Sequence, residues 1–272
     1  MRWKDDVNRA LRRATGYELR RSGSAPAPQR AAARSVRAPV FVICTLRSGS
    51  TLLRMLLDSH SRVHAPHEIH LRYVTVGLNK WSQRSMRELG HDARSLEHLL
   101  WDRLLGEELA RSGKDVLVEK TPNNVFIVDR LLECWPDARL LFLLRHPAMI
   151  ARSRRVLRPA DADDEANVEL IRKYCDALEA ARQRHDGLTL RYEELTADPA
   201  RETRRICEFL GLTWEPGMLD YGAQEHGRLK PGLGDWADKI RTGQVQAPEP
   251  PPPDEDIPAP LRPAAVAWGY AA

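Results

Sequence analysis

Residues 45–53 read T-L-R-S-G-S-T-L-L and follow directly on the apolar run P-V-F-V-I-C, Pro39 to Cys44. An apolar run, a loop of small residues and then an apolar helical pattern is the layout of a phosphate-binding loop. The ATP-type pattern G-x-x-x-x-G-K-[ST] is nevertheless broken. With Gly49 as its second glycine, Cys44 stands where the first glycine belongs and Ser50 where the lysine belongs. Thr51 keeps the hydroxyl position, and Arg47 stands two residues before the glycine. Small residues let backbone N–H groups approach an anion, and the following helix aims its positive end at the same point. Ser48 to Thr51 would add two or three hydroxyls. The alternative is an ordinary tight strand-to-helix turn.

Working outward, strand-like runs fall at 40–44, 116–118, 139–144 and 188–191. Helical patterns fall at 50–59, 95–112, 123–134, 147–157, 164–185 and 199–210. Continuous apolar strands alternating with helices predict an α/β fold, a parallel sheet covered on both faces. Ahead of this core, Val7, Leu11 and Ala14 predict a short helix over 5–15. Residues 22–38 read as a linker. Behind it, seven prolines within 247–260 predict an extended surface segment. A last helix over 259–268 is expected to dock through Val266 and Trp268. The organisation expected is a basic leader over 1–38, a core domain over 39–246, and a proline-rich segment with a C-terminal helix over 247–272.

The chain has 272 residues, 42% hydrophobic and 29% charged, which is globular composition. Its four cysteines form no C-x-x-C pair, which argues against a zinc ribbon or disulfide framework and fits a reducing compartment. No apolar run reaches about 18 residues and the N-terminus lacks a signal-peptide core, so a cytoplasmic protein without a membrane span is expected. Residues 1–37 carry ten Lys/Arg against three Asp/Glu, so the basic excess belongs to the leader. No basic stripe with interleaved aromatics is present, and nucleic acid is not an expected partner.

A second site candidate is R-H-P-A-M-I-A-R-S-R, residues 145–154. It follows the 139–144 strand, and Pro147 suits the first turn of a helix. Arg145 at the strand end and Ser153 two turns into the helix can converge on one phosphate. The set R-S-G-S-T-L-L, L-L-R-H-P-A-M-I-A-R-S, R-Y-E-E-L and E-F-L-G-L, in this order over residues 39–245, resembles the sulfotransferases that use 3′-phosphoadenosine 5′-phosphosulfate (PAPS).

That resemblance implies a P-loop NTPase-like three-layer α/β fold. It assigns the 5′-phosphosulfate to Arg47, Ser48, Gly49, Ser50, Thr51 and Leu52, the 3′-phosphate to Arg145 and Ser153, and the adenine side to Tyr192. It also accounts for the missing lysine: PAPS has no γ-phosphate, and sulfuryl transfer in this family needs no metal. What needs stabilising is charge on the oxygen bridging phosphorus and sulfur, which a fixed cation at Arg47 can do. Arg at that place is similar to the branch acting on protein tyrosines and to many bacterial members.

Three further motifs take roles from the resemblance. H-A-P-H-E-I-H, residues 64–70, fails the metalloprotease pattern H-E-x-x-H because position 71 is Leu. Its Glu68, 21 residues after Arg47, corresponds to the base for the acceptor hydroxyl; read alone it is a helix N-terminal charge. His67 and His70 are alternative bases, and His64 is expected to be structural. In E-K-T-P-N-N (119–124), Lys120 becomes a second cation near the transferring group; read alone it is a solvent charge. In the Gly-rich stretch 228–243, Arg228, Lys230 and Lys239 are candidates for the 3′-phosphate side. Trp81, Trp101 and Tyr73 are either core or acceptor-pocket residues.

The function expected is sulfuryl transfer from PAPS to a hydroxyl of a small metabolite, carbohydrate or glycolipid. A homodimer is compatible with the resemblance. The alternatives are a P-loop kinase or NTPase, and an inactive module that binds PAPS or its product, adenosine 3′,5′-diphosphate (PAP).

Overall fold

The structure, a computed structural model, describes residues 34–157, 164–223, 243–247 and 249–272. The leader helix 5–15, most of the linker, and Arg228, Lys230 and Lys239 lie outside the described residues.

Five strands form one parallel sheet: β1 (Val40–Cys44), β2 (Val63–His64), β3 (Val116–Glu119), β4 (Arg139–Leu144) and β5 (Leu188–Arg191). Their order is β2-β3-β1-β4-β5. Central β1 is wholly buried, and its side chains alternate between two cores. Phe41 and Ile43 enter one core; Val40, Val42 and Cys44 enter the other. Each face therefore needs apolar cover, which is why these strands read as unbroken apolar runs and not as alternating ones.

Helix α1 (Ser50–Asp58) covers the Val42 face through Leu52, Leu53, Leu56 and Leu57, joined there by Ile206, Cys207 and Leu210. The opposite face is covered by α3 (Ala93–Ser112), α4 (Val128–Cys134), α5 (Pro147–Leu157) and α6 (Asp164–Arg184). Between β2 and α3 runs the exposed α2 (Lys80–Glu88), with Asn79 capping the N–H groups of Trp81 and Ser82. Two helices follow β5: α7 (Tyr192–Ala197), and α8 (Pro199–Leu210), which supplies Ile206 to Leu210 and is capped by Asp198. The result is a three-layer P-loop NTPase-like α/β fold, as the sequence implied.

Three features differ from expectation. The pattern over 123–134 is split: Pro122–Phe126 is a 3-10 turn, and α4 begins only after Ile127, whose φ of −133° is not helical. Strand β2 and helices α2 and α7 are additional elements. At the C-terminus, α9 (Arg262–Ala267) docks through Leu261, Ala264, Ala265 and Trp268, whereas Val266 is 47% exposed. On so short a helix Val266 falls on the face opposite Ala264 and Ala265. The Trp268 indole N–H donates to Glu179 of α6 at 2.9 Å, and Arg191 donates to the Trp268 carbonyl at 2.5 Å.

Candidate functional site

The loop between β1 and α1 is shaped by two left-handed residues, Arg47 (φ 61°) and Gly49 (φ 84°). Gly49 is the N-cap of α1, and a Cβ there would overlap the ring of Tyr192. Glycine is thus required twice, by conformation and by close approach. The Ser48 hydroxyl closes the loop by donating to the Thr45 carbonyl at 2.8 Å.

The 145–154 motif meets this loop at Arg47. Arg145, one residue past β4, donates from Nη1 to the Arg47 carbonyl at 2.7 Å. Its guanidinium lies 4.4 Å from the centre of the Tyr192 ring. Arg47 Nε donates to Ser153 Oγ of α5 at 3.3 Å. Arg47, Arg145, Ser153, Gly49 and Tyr192 therefore form one cluster. Burial first, and then the neighbouring Arg145 charge, lower the pKa of Arg47. Neither guanidinium pairs with a carboxylate among the described residues, and Arg145 Nε is buried without a hydrogen-bond partner there. Clustered cations and an unused donor suit an anion with several oxygens.

The Arg145 side is braced from behind. Glu193 accepts the His146 N–H at 3.1 Å and the Tyr270 hydroxyl at 2.6 Å. Burial lowers the pKa of the His146 ring.

Lys120 and Glu68 make the second half. Lys120 Nζ donates to Glu68 Oε1 at 2.5 Å, with the two side chains 1% and 11% exposed. Lys120 is therefore a buried, paired cation and not a solvent charge. His70 Nε2 stands 3.6 Å from Glu68 Oε2. Cys44, the end of β1, stands between the halves: its buried thiol senses the charges of Lys120 and Glu68. Burial pushes that thiol up to about 11, so it stays protonated at neutral pH. All four cysteines are buried and free.

His64 is held by Glu108 at 3.1 Å and Asp58 at 3.8 Å, a structural position as expected. Among the described residues no three His, Cys, Asp or Glu side chains converge as metal ligands. Trp101 is core, its indole N–H donating to the Val74 carbonyl at 2.9 Å. Tyr73 (63% exposed) and Trp81 (80% exposed) lie at the surface. Tyr73 is 6.4 Å from the His70 ring, and Arg72 lies over both Tyr73 and Phe126. Sequence reasoning missed Glu119, which is fully buried; its only signal is a carboxylate closing an apolar strand beside Lys120.

Fold and loop together define a P-loop-like α/β domain whose cation cluster suits an anion with several oxygens. A family model described as the sulfotransferase family matches residues 39–216, well over half of the chain, and the chain belongs to that family. It is 27% identical over 227 residues to the nodulation protein NoeE of Sinorhizobium fredii, covering 69% of this chain and 54% of NoeE. It is 23% identical over 201 residues to the protein-tyrosine sulfotransferase 2 of Gallus gallus, covering 67% of this chain and 53% of that protein. The chain thus spans about half the length of these relatives.

Among solved structures, the sulfotransferase domain of the curacin biosynthetic pathway aligns with a TM-score of 0.61 at 19% identity, covering 86% of this chain and 98% of that one. The sulfotransferase domain of the Synechococcus PCC 7002 olefin synthase gives 0.55 at 21%, covering 87% and 97%. Both support the fold. No helix among the described residues is long and apolar enough to cross a membrane.

Proposed function

We propose that this chain transfers the sulfuryl group of PAPS to an acceptor hydroxyl. The observation that carries the reading is the Arg47–Arg145–Ser153 cluster around a lysine-free anion loop, with the Lys120–Glu68 pair beside it. The amides of Ser48 to Thr51 and the hydroxyls of Ser50 and Thr51 take the 5′-phosphosulfate, the Ser48 hydroxyl closes the loop behind them, and Leu52 anchors it in the core. Arg145 and Ser153 take the 3′-phosphate, and Tyr192 flanks the nucleotide. Arg228, Lys230 and Lys239 remain proposed contacts on the 3′-phosphate side.

In the transfer step the acceptor oxygen forms a bond to sulfur and its proton passes to a Glu68 oxygen. The bond from sulfur to the bridging oxygen breaks, and PAP leaves with the electron pair. Arg47 and Lys120 stabilise that oxygen and the sulfuryl group, and contacts of this kind are worth about 3–4 kcal/mol each. No step needs a metal. His70, beside Glu68, is the alternative base, with His67 second.

The acceptor is a hydroxyl of a small metabolite, a carbohydrate or a glycolipid. Tyr73, Phe126 and the Arg72 guanidinium between them offer ring faces on the His70 side. Four free, buried cysteines support action in a reducing compartment such as the cytoplasm. The kinase or NTPase alternative is disfavoured by Ser50 standing where its lysine is needed.

The test is labelled-sulfate transfer from PAPS over a panel of phenols, sugars and glycolipids, read by mass spectrometry. Wild type should label an acceptor. Glu68→Gln and Arg47→Ala should each be slower by roughly 10². Wild-type turnover in Glu68→Gln would remove Glu68 as the base.

A further inference from the structure

Glu119 is a charged residue with no exposed surface, and nothing in the transfer step uses it. It closes β3 immediately before Lys120. An isolated carboxylate so deep in the fold is costly unless donors surround it. Here three do. The Thr121 hydroxyl donates to Oε1 at 2.5 Å, the Ile69 N–H donates to the same oxygen at 3.3 Å, and the Asn124 side-chain amide donates to Oε2. The Thr121 oxygen accepts in turn the His70 N–H at 3.2 Å.

Two successive amides of the segment after Glu68 therefore hang from the end of β3, one directly and one through Thr121. The tethered segment is strained. His70 has a φ of 58° and, with Arg47, is one of two non-glycine residues with positive φ among the described residues. Such conformations persist where surrounding bonds over-determine them. An apolar residue at position 119 would satisfy the core yet leave the Ile69 N–H and the Thr121 hydroxyl without their acceptor.

We infer that Glu119 is a positioning residue for the acceptor-side base: it fixes the backbone at Ile69 and His70 so that the Glu68 carboxylate meets Lys120. The inference rests on Glu68 as the base for its functional meaning, but the tether itself is tested without turnover. E-K-T in this chain then acts as a unit. Lys120 holds the Glu68 side chain, while Glu119 and Thr121 hold the backbone that follows it.

Three variants separate a tether from mere core filling. Glu119→Ala removes both acceptor oxygens. Thr121→Val keeps the shape and removes the relay to His70. Glu119→Gln keeps one oxygen for Ile69 and Thr121. Its new NH2 faces Asn124, whose Oδ1 is buried without a partner among the described residues, so a turn of the Asn124 amide accepts it.

The readout is hydrogen–deuterium exchange by mass spectrometry on the full chain, with and without PAP. Peptides covering 66–73 are compared with β4 and α6. Glu119→Ala and Thr121→Val should exchange roughly tenfold faster over 66–73, with β4 and α6 unchanged. Glu119→Gln should stay within about twofold of wild type, because an acceptor and not a charge is needed.

The inference is overturned by unchanged exchange over 66–73 in Thr121→Val, by acceleration of equal size in every peptide, or by Glu119→Gln matching Glu119→Ala. If Glu119→Ala does not fold, Thr121→Val and Glu119→Gln still decide it. Failure of the PAPS reading appears separately, as no PAP-induced protection over 45–53.

Discussion

Replacing Lys120 with methionine removes the ammonium from a pair that is almost wholly out of water, with side chains 1% and 11% exposed. Methionine fills most of the stem volume, so the main effect is electrostatic: Glu68 keeps its charge and loses its cation. Breaking a buried pair from one side costs about 3–5 kcal/mol. Glu68 retains some exposure and has His70 at 3.6 Å, which places the expected loss near the lower end, about 3 kcal/mol. In a chain of this size that corresponds to a fall in Tm of roughly 6–12 °C.

Removing the second charge should undo most of the loss. Lys120→Met combined with Glu68→Leu leaves no orphan carboxylate, and buried pairs replaced whole are often neutral. The assay is urea and calorimetric unfolding of wild type, both single variants and the double variant at pH 7.5. A Lys120→Met protein within about 1 kcal/mol of wild type would refute the reasoning. So would a double variant no more stable than Lys120→Met, because the cost would then not come from an unpaired charge.

Other outcomes follow from the same geometry. Gly49→Ala places a Cβ at φ 84° into the Tyr192 ring; backbone strain alone costs about 1–2 kcal/mol, and PAP affinity by calorimetry should fall more than tenfold. Arg145→Gln removes a charged partner of the proposed 3′-phosphate and should weaken PAP by roughly 10- to 100-fold, with Tm changed little. Burial raises the pKa of Glu119 from its ordinary 4.5, so the folded protein holds its proton to higher pH than the unfolded chain. The stability of wild type relative to Glu119→Gln should therefore decline as pH rises from about 4.5 and level off above the folded pKa; a flat difference across urea titrations at several pH values would contradict this.

The sequence revealed most where one signal dominates. β1 and β4 are unbroken apolar runs because both their faces are buried, and their bounds match expectation. β2 is only Val63–His64, too short for any periodicity. α2 buries no side chain, so it has no apolar stripe to read. Ile127 interrupts the pattern over 123–134 through backbone conformation, which the apolar spacing does not encode.

In the site, Arg47, Arg145 and Ser153 were legible because each sits at a fixed distance from a strand end. The Glu68–Lys120 contact was not, since it joins residues 52 positions apart. Glu119 was missed because a carboxylate flanked by an apolar strand and a lysine looks like a surface charge until its donors, Ile69 and Thr121, are in place.

The central claim is that this lysine-free loop is built for a 3′-phosphorylated adenosine nucleotide. Thermal unfolding of the full chain with PAP and, in parallel, with ATP plus Mg²⁺ tests it most directly. At a hundredfold excess over Kd a specific ligand adds about 2.7 kcal/mol, a Tm rise of roughly 5–10 °C. The account predicts that rise with PAP and none with ATP–Mg²⁺; stabilisation by ATP–Mg²⁺ alone would contradict it.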